Sequence, residues 1–164
     1  MTWLNMSHSC RGSVPSPDGS GRPRPSSDVV RDRMRRQGRR DTKPEMQLRR
    51  ILFARGLRYR VDRAPLRGVR RRADIVFGPS KVAVYADGCF WHSCPDHATV
   101  PKNNREWWIE KLAANVARDR DTDRQLQDAG WRVVRIWEHE DMELAADRVM
   151  KAVRPEPPNG SDDG

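Results

Sequence analysis

The sequence predicts one α/β domain in which helices pack on a mixed β-sheet. Short apolar runs of strand length alternate with longer helical stretches in the order helix, three strands, helix, strand, helix, which is typical of a layered α/β sandwich. A length of 164 residues suits a single domain with tails. No run of about 18 apolar residues breaks this order, so the sequence offers no transmembrane helix.

The first helix is predicted to begin after Asp41. Thr42, followed three residues later by Glu45, fits a capping box, and Pro44 lies in the first turn, where its missing N–H costs little. Apolar residues then recur at helical spacing up to Gly56, a natural residue just past a helix end. Glu45 therefore has a complete structural explanation, and these residues alone favour capping over catalysis.

Three strands follow, at residues 57–61, 73–77 and 81–85. The second is an apolar run interrupted by Asp74, and an unpaired carboxylate is costly to bury. Either a metal ion or a neighbouring arginine must balance Asp74, and we favour a metal ion. A long helical region ends at Gly130, residues 131–137 form a fourth strand, and a last helix precedes Pro155.

Both ends of the chain are predicted to be disordered. Residues 1–27 are rich in serine, proline and glycine, and residues 155–164 are polar, so neither buries enough apolar surface to offset the entropy of ordering. The folded domain is expected over residues 28–154, with a basic arm at 28–41. The N-terminal residues lack the apolar segment of a signal peptide, and we expect a cytoplasmic protein.

The charge balance points to a polyanionic partner. Lysine and arginine outnumber aspartate and glutamate by 32 to 23, which gives a formal net charge of +9. Arginine dominates this excess and pairs with phosphate through parallel hydrogen bonds. No basic amphipathic helix with a broad apolar face is evident, so nucleic acid is favoured over a membrane surface. The alternative for the arginines of the arm is a solvated, poorly ordered segment.

The segment from Tyr85 to His97 holds two of the three cysteines and two of the four histidines. An odd cysteine count with this grouping favours metal binding over disulfides. A tetrahedral structural zinc takes four ligands, and the spacing supplies three of them, with a fourth expected just beyond the last strand. Asp96 is a poorer fourth ligand, and free core cysteines are the alternative. The predicted ligands are Cys89, Cys94, His97 and His139.

Asp74, Asp87 and His92 remain on neighbouring elements once the zinc ligands are set aside. Magnesium binds oxygen ligands, keeps several waters and bridges to substrate phosphate. Histidine can accept a proton from an attacking water near neutral pH. A carboxylate, a divalent metal and a histidine flanked by arginine-rich loops make a plausible phosphodiesterase site.

Several motifs together resemble the very-short-patch mismatch repair endonucleases, over residues 28–153. They are Asp87-Gly88-Cys89-Phe90-Trp91-His92, Pro101-Lys102, Glu106-Trp107-Trp108-x2-Lys111-x3-Asn115-x3-Asp119, Gly130-Trp131-Arg132-Val133 and Arg40-Asp41-Thr42-Lys43-Pro44-Glu45. The resemblance implies a restriction-endonuclease-like three-layer sandwich with a mixed central sheet and a structural zinc site. It also implies Mg²⁺-dependent nicking of one DNA strand 5′ of the thymine in a T·G mismatch left by deamination of 5-methylcytosine.

The resemblance further implies roles for single residues. Asp74 matches the metal-binding aspartate, and the backbone carbonyl of Ala86 would be a second ligand to the magnesium. His92 matches the histidine that activates the water, and Glu45 matches an acid that supports it. The residues that match DNA-contacting or DNA-wedging positions are Met34, Arg35, Arg36, Phe90, Trp91 and Trp108.

The chain departs from the family pattern at two positions. The better-known pattern has histidine where this chain has Asp87, so Asp87 is expected either to bind the metal or to polarise the water. The last zinc ligand is often cysteine and is His139 here. In addition, a glutamate that the wider nuclease superfamily places near Tyr85 is absent, which leaves more of the metal binding to Asp74.

The implied partner is double-stranded DNA containing a T·G mismatch, with mismatch-repair proteins as further partners and no membrane. The implied enzyme is a monomer located in the bacterial cytoplasm at the nucleoid. Two alternatives stay open. One is a related restriction-type or mobile-element DNA endonuclease without mismatch specificity, and the other is a non-catalytic, zinc-stabilised DNA-binding module.

Overall fold

The computed structural model describes residues 41–68 and 71–154. The predicted tails and the arm residues Met34, Arg35 and Arg36 lie outside the described residues. The described elements follow the predicted order of helix, three strands, helix, strand and helix. They are α1 (Lys43–Ala54), β1 (Arg60–Arg63), β2 (Ala73–Phe77), β3 (Val82–Asp87), α2 (Arg105–Asp128), β4 (Arg132–Trp137) and α3 (Met142–Val153).

The four strands form one mixed sheet in the order β1-β2-β3-β4. The first two pairs are antiparallel, and β3 pairs with β4 in parallel. A parallel pair needs a long crossover connection, which the 24-residue helix α2 supplies. Because Asp87 lies opposite Trp137 in the parallel pair, the segments that follow β3 and β4 leave the sheet side by side.

Helices cover both faces of the sheet. On one face, α1 and α3 bury a core with the alternate residues of β2 and β3, including Leu48, Ile75, Val84 and Val149. On the other face, α2 packs through Leu126 against a smaller cluster. The arrangement is therefore helix, sheet, helix in three layers, and the α/β prediction with a mixed sheet is confirmed. In the part of the chain that the structure describes, no helix is long and apolar enough to cross a bilayer.

The start of α1 matches the sequence prediction, but β1 does not. The backbone N–H of Thr42 donates to Oε2 of Glu45 at 3.3 Å, and Pro44 lies in the first turn. The strand predicted at 57–61 instead begins at Arg60. Gly56, with φ of +82°, ends the helix, and the N–H of Leu57 still donates to the Leu52 carbonyl at 3.0 Å, so the residues just after Gly56 terminate α1.

Candidate active site and metal centre

The loop after β3, residues 88–97, is fixed to the segment after β4. Glu138 makes both links: its side-chain Oε1 accepts from the backbone N–H of Cys89 at 2.7 Å, and its own N–H donates to the Asp87 carbonyl at 3.0 Å. Within the loop, the N–H of His92 donates to the Gly88 carbonyl at 3.1 Å, and the N–H of Cys94 donates to the Cys89 carbonyl at 2.9 Å. The parallel pairing thus holds the loop at the C-terminal ends of β3 and β4.

The four predicted zinc ligands converge. Sγ of Cys89 lies 3.0 Å from Nδ1 of His139, and Sγ of Cys94 lies 3.8 Å from Nδ1 of both His97 and His139. All four donor atoms lie within 4.8 Å of one another. Two sulfurs and two ring nitrogens at these separations can surround one tetrahedral ion. Asp96 is not part of the group: its side chain is exposed, and its Oδ2 faces the other ring nitrogen of His139 at 4.0 Å.

His92 is held by a carboxylate that received no role from the sequence. Nδ1 of His92 lies 2.6 Å from Oδ2 of Asp119 and 3.6 Å from Oδ1 of Asp87. An ionised carboxylate can only accept, so Nδ1 carries the proton and Nε2 is left with its lone pair. Burial by itself would lower the pKa of His92, but the Asp119 hydrogen bond and the two negative charges outweigh burial and raise it above 6.5. A ring so placed can accept a proton through Nε2.

Asp119 belongs to a polar stripe on α2. Residues 115, 119 and 123 recur every four positions, so they share one face of the helix, and each is partly buried. Asn115 donates to the carbonyl of Trp91 at 3.2 Å, and Asp119 bonds His92. Asp123 accepts from Nε of Arg135 at 3.0 Å. The sequence motif contains Asn115 and Asp119 at this spacing, but it does not include Asp123 or show what these side chains contact.

Asp87 ends β3 as a buried carboxylate, with 3 % of its surface exposed. Its Oδ2 accepts from Nη1 of Arg135 at 2.7 Å. Burial raises the pKa of Asp87, while Arg135 and then His92 oppose this rise. Arg135 was not recognised from the sequence, where it looked like one of many arginines. Only its register, directly opposite Tyr85 on β3, places it beside the site.

Asp74 interacts electrostatically with Glu45 and Asp87 and makes no ion pair with any other described residue. Its Oδ2 accepts from the backbone N–H of Ala86 at 2.8 Å. Burial raises the pKa of Asp74 to about 6, and the charges of Glu45 and Asp87 add to this against the Ala86 N–H and Arg49. A partly buried carboxylate that interacts with two other acids is suited to a divalent cation.

Glu45 lies at the start of α1 and is 2 % exposed. It forms a buried ion pair with Arg49, one turn along the helix, in addition to capping Thr42. Arg49 also pairs with Asp41 at 2.6 Å, and its backbone carbonyl accepts from the hydroxyl of Tyr59 at 2.7 Å. Arg49 and the cap thus fix the orientation of Glu45, whose charge raises the pKa of Asp74.

The aromatic side chains of the loop pack against the first turn of α2. Phe90 lies 5.0 Å from Trp91 and 5.3 Å from Trp108, measured between ring centroids. Trp108 is 8 % exposed and also contacts Trp107 at 4.8 Å. Trp108 thus forms a buried base for the cluster, and the partly exposed Phe90 and Trp91 form its outer surface.

Comparison with known proteins defines the class. The family model "DNA mismatch endonuclease Vsr" matches residues 28–97. The chain is 46% identical over 142 residues to the type II nicking enzyme V.NaeI of Lentzea aerocolonigenes, covering 85% of this chain and 80% of that protein. It is 36% identical over 118 residues to the type II nicking enzyme V.NmeAIP of Neisseria meningitidis serogroup A, covering 70% and 81%.

A third relative is the DNA mismatch endonuclease Vsr of Escherichia coli strain K12, which is 40% identical over 106 residues, or 64% of this chain and 66% of that protein. These similarities define the chain as a DNA endonuclease. The chain belongs to the Vsr family.

Proposed function

We propose that this endonuclease nicks one DNA strand 5′ of the thymine in T·G mismatches left by deamination of 5-methylcytosine, in a Mg²⁺-dependent reaction. The observation that carries the proposal is the composition of one loop. Residues 88–97 present His92, paired with Asp119 at 2.6 Å, beside the aromatic cluster of Phe90, Trp91 and Trp108. A group suited to hydrolysis and a surface suited to contact unstacked bases are therefore next to each other.

In this proposal the fold is that of the restriction endonucleases, and the functional domain spans residues 28–154. The helix, sheet, helix layering supports this assignment. Residues 28–41 form a basic arm, in which Met34, Arg35 and Arg36 contact DNA. Residues 28–40 of the arm, including these three, lie outside the described residues, so their role rests on sequence alone.

The donor set around Asp74 fits a magnesium ion. Asp74 and the backbone carbonyl of Ala86 would hold it, and the shortage of positive charge at Asp74, whose pKa is raised to about 6, supports that assignment. When bound, such an ion neutralises charge on the phosphate and orients the attacking water. His92 would take the proton of that water at Nε2, with Nδ1 held by Asp119. Glu45 would support the ion and its waters from the start of α1.

The Cys89, Cys94, His97 and His139 group would hold a structural zinc. Its two thiolates and two imidazoles leave no open coordination position, so the zinc would fix the loop geometry and take no part in hydrolysis. Both cysteines are buried, Cys94 completely, which supports a structural role.

The aromatic cluster would open the base stack at the mismatch. Separating a base step costs a few kcal/mol, which an inserted apolar wedge and weakened pairing offset. Phe90 and Trp91 are partly exposed and supported from below by Trp108, as a wedge requires. The printed name of the Escherichia coli relative, a DNA mismatch endonuclease, agrees with this reading.

The test is a nicking assay on strand-labelled T·G duplexes in varied flanking sequence, with and without Mg²⁺. A single product, cut 5′ of the mismatched thymine and formed only with the metal, is expected. Equal cutting of matched DNA would instead support the restriction-type or mobile-element alternative. Tight binding with no cutting of any duplex would support the non-catalytic module. Size-exclusion chromatography would test whether the protein is a monomer, and pull-down would test whether it binds mismatch-repair proteins. Fluorescence microscopy of the tagged protein would test its location at the bacterial nucleoid.

A further inference from the structure

Two of the acids of the site form ion pairs with arginines. Glu45 pairs with Arg49 on α1, and Asp87 pairs with Arg135 on β4. Asp74, which interacts electrostatically with both acids, has no such partner in the described part of the chain. Glu45 and Asp87 thus each have an arginine partner, and Asp74 is the one of these three acids that a bound cation would neutralise.

We infer that Asp87 is not a magnesium ligand and that Arg135 is a positioning residue, which holds Asp87 and Asp119 in the geometry that orients His92. This inference deepens the proposed function and rests on it. It assigns a role to Arg135, which neither the motifs nor the family resemblance marks. It also excludes metal binding, one of the two roles that the sequence left open for Asp87.

The first support is the geometry of the guanidinium group. Nη1 of Arg135 donates to Asp87 at 2.7 Å, while Nε and Nη2 donate to Asp123 at 3.0 and 2.9 Å. Nη2 also lies 3.7 Å from Oδ1 of Asp119, and the group stacks 4.8 Å from the centroid of the Tyr85 ring. One planar side chain therefore contacts three carboxylates and one ring. A lysine ammonium, as a compact point charge, would not reproduce this fork.

The second support is that both oxygens of Asp87 face cationic or titratable partners. Oδ2 is bonded to Arg135 at 2.7 Å, and Oδ1 lies 3.6 Å from Nδ1 of His92. With 3 % of its surface exposed, Asp87 has little room for a hydrated ion that keeps several waters. His92, in turn, is contacted by Asp87 and Asp119, and Arg135 touches both. Arg135 therefore contacts both of the carboxylates, Asp87 and Asp119, that contact His92.

The third support is electrostatic. Asp87, Asp119 and Asp123 converge on Arg135, and like charges this close repel strongly in a partly buried site. Without the guanidinium the carboxylates would move apart, and the His92 ring would lose its fixed orientation. Loss of Arg135 should consequently slow the chemical step more than it weakens DNA binding.

The experiment compares Asp87→Asn, Arg135→Lys and Arg135→Met with the wild type in the full-length, zinc-loaded protein. Mn²⁺ binding is measured by calorimetry, DNA affinity is measured in Ca²⁺, and the single-turnover nicking rate is measured in Mg²⁺. We expect Asp87→Asn and Arg135→Met to lower the rate roughly 100-fold, the scale of a lost acid–base contribution. The Kd values for Mn²⁺ and for DNA should stay within about threefold of the wild type, and Arg135→Lys should recover only part of the rate.

Two controls make the result specific. Arg55→Met removes an arginine that also joins two carboxylates, Glu143 and Asp147 at 2.5 Å each, but away from the site, and it should leave nicking unchanged. Asp74→Asn should abolish Mn²⁺ binding. If Arg135→Met does not fold, Arg135→Ala with added guanidinium ion replaces it, and recovery of the rate by guanidinium is the expected result.

The inference would be overturned if Asp87→Asn lost Mn²⁺ binding to the same degree as Asp74→Asn. It would also be overturned if both Arg135 variants nicked DNA at the wild-type rate. The metal-binding measurement needs no nicking activity. If the wild type cuts matched and mismatched DNA equally, the mismatch proposal fails, while the same variants still decide the role of Arg135 on the duplex that is cut.

Discussion

Asp74 should destabilise the metal-free protein, and Asp74→Asn should therefore raise stability while abolishing nicking. The carboxylate is partly buried, receives one backbone hydrogen bond from Ala86 at 2.8 Å, and is repelled by Glu45 and Asp87. Asparagine keeps an oxygen to accept that bond but carries no charge. The substitution therefore removes the electrostatic cost and retains the local geometry.

The magnitude follows from the pKa of Asp74, which burial chiefly raises from 3.8 to about 6. Each unit of difference corresponds to about 1.4 kcal/mol between the two protonation states. A group whose pKa is raised by folding favours the folded state below its unfolded pKa and loses that contribution as pH rises through the folded value. Asp74 should thus cost about 3 kcal/mol at pH 8 as an upper bound, and about half of that at pH 5.

The assay is denaturant unfolding of the wild type and Asp74→Asn between pH 5 and 8, where the zinc ligands stay deprotonated, with zinc-loaded protein in magnesium-free buffer without chelator. The stability gain of Asp74→Asn should grow between about pH 5 and 7 and then level off. Adding Mg²⁺ should stabilise the wild type by preferential binding to the folded state and should leave the variant unchanged. Asp128→Asn, at an exposed position near the end of α2, is the control and should change stability by less than about 0.5 kcal/mol.

A variant that is less stable than the wild type at pH 8, or a difference that does not vary with pH, would refute this reasoning. Either result would mean that Asp74 already has adequate compensation in the metal-free protein. A stabilising effect of Mg²⁺ on Asp74→Asn equal to that on the wild type would place the metal elsewhere.

Three further predictions concern the other parts of the site. Cys94→Ser should lose its zinc and unfold, because structural zinc binding of roughly 10 kcal/mol or more rivals the whole stability of a domain; metal analysis and circular dichroism test this, with Cys10→Ser as a control that keeps the zinc. Asp119→Asn should slow single-turnover nicking roughly 100-fold or more, since His92 loses its charged acceptor. Because Asp119 also raises the pKa of His92, nicking should fall as the pH drops through a value above 6.5, and in Asp119→Asn that fall should shift to lower pH. DNA affinity should drop steeply with salt, because many arginines displace counterions from phosphate; a Kd that is equal at low and high salt would contradict this.

Local sequence signals were sufficient for the parts of the fold that depend on nearby residues. The capping pair at residues 42 and 45 located the start of α1, and apolar runs located β2 to β4. The convergence of Cys89, Cys94, His97 and His139 was predictable because the first three lie in one loop and the fourth follows the strand that β3 pairs with. The error at β1 arose because alternation at 57–61 cannot reveal that the same residues terminate a helix.

The contacts that the sequence did not reveal depend on tertiary register. Asp119 is 27 residues from His92 and Arg135 is 48 residues from Asp87, so neither pairing leaves a local pattern. Arg135 was hidden further by the many arginines in the chain. Its role depends on the parallel alignment that places it opposite Tyr85, and this alignment becomes visible only when β3 and β4 are paired.

The most direct measurement of the central claim is the ratio of single-turnover nicking rates on two duplexes that differ in one base, T·G against T·A, at saturating enzyme and Mg²⁺. The account predicts a ratio far above one for the wild type, with the cut 5′ of the mismatched thymine, and no product from Asp74→Asn on either duplex. A ratio near one would contradict mismatch recognition, and full activity in Asp74→Asn would contradict the assigned site.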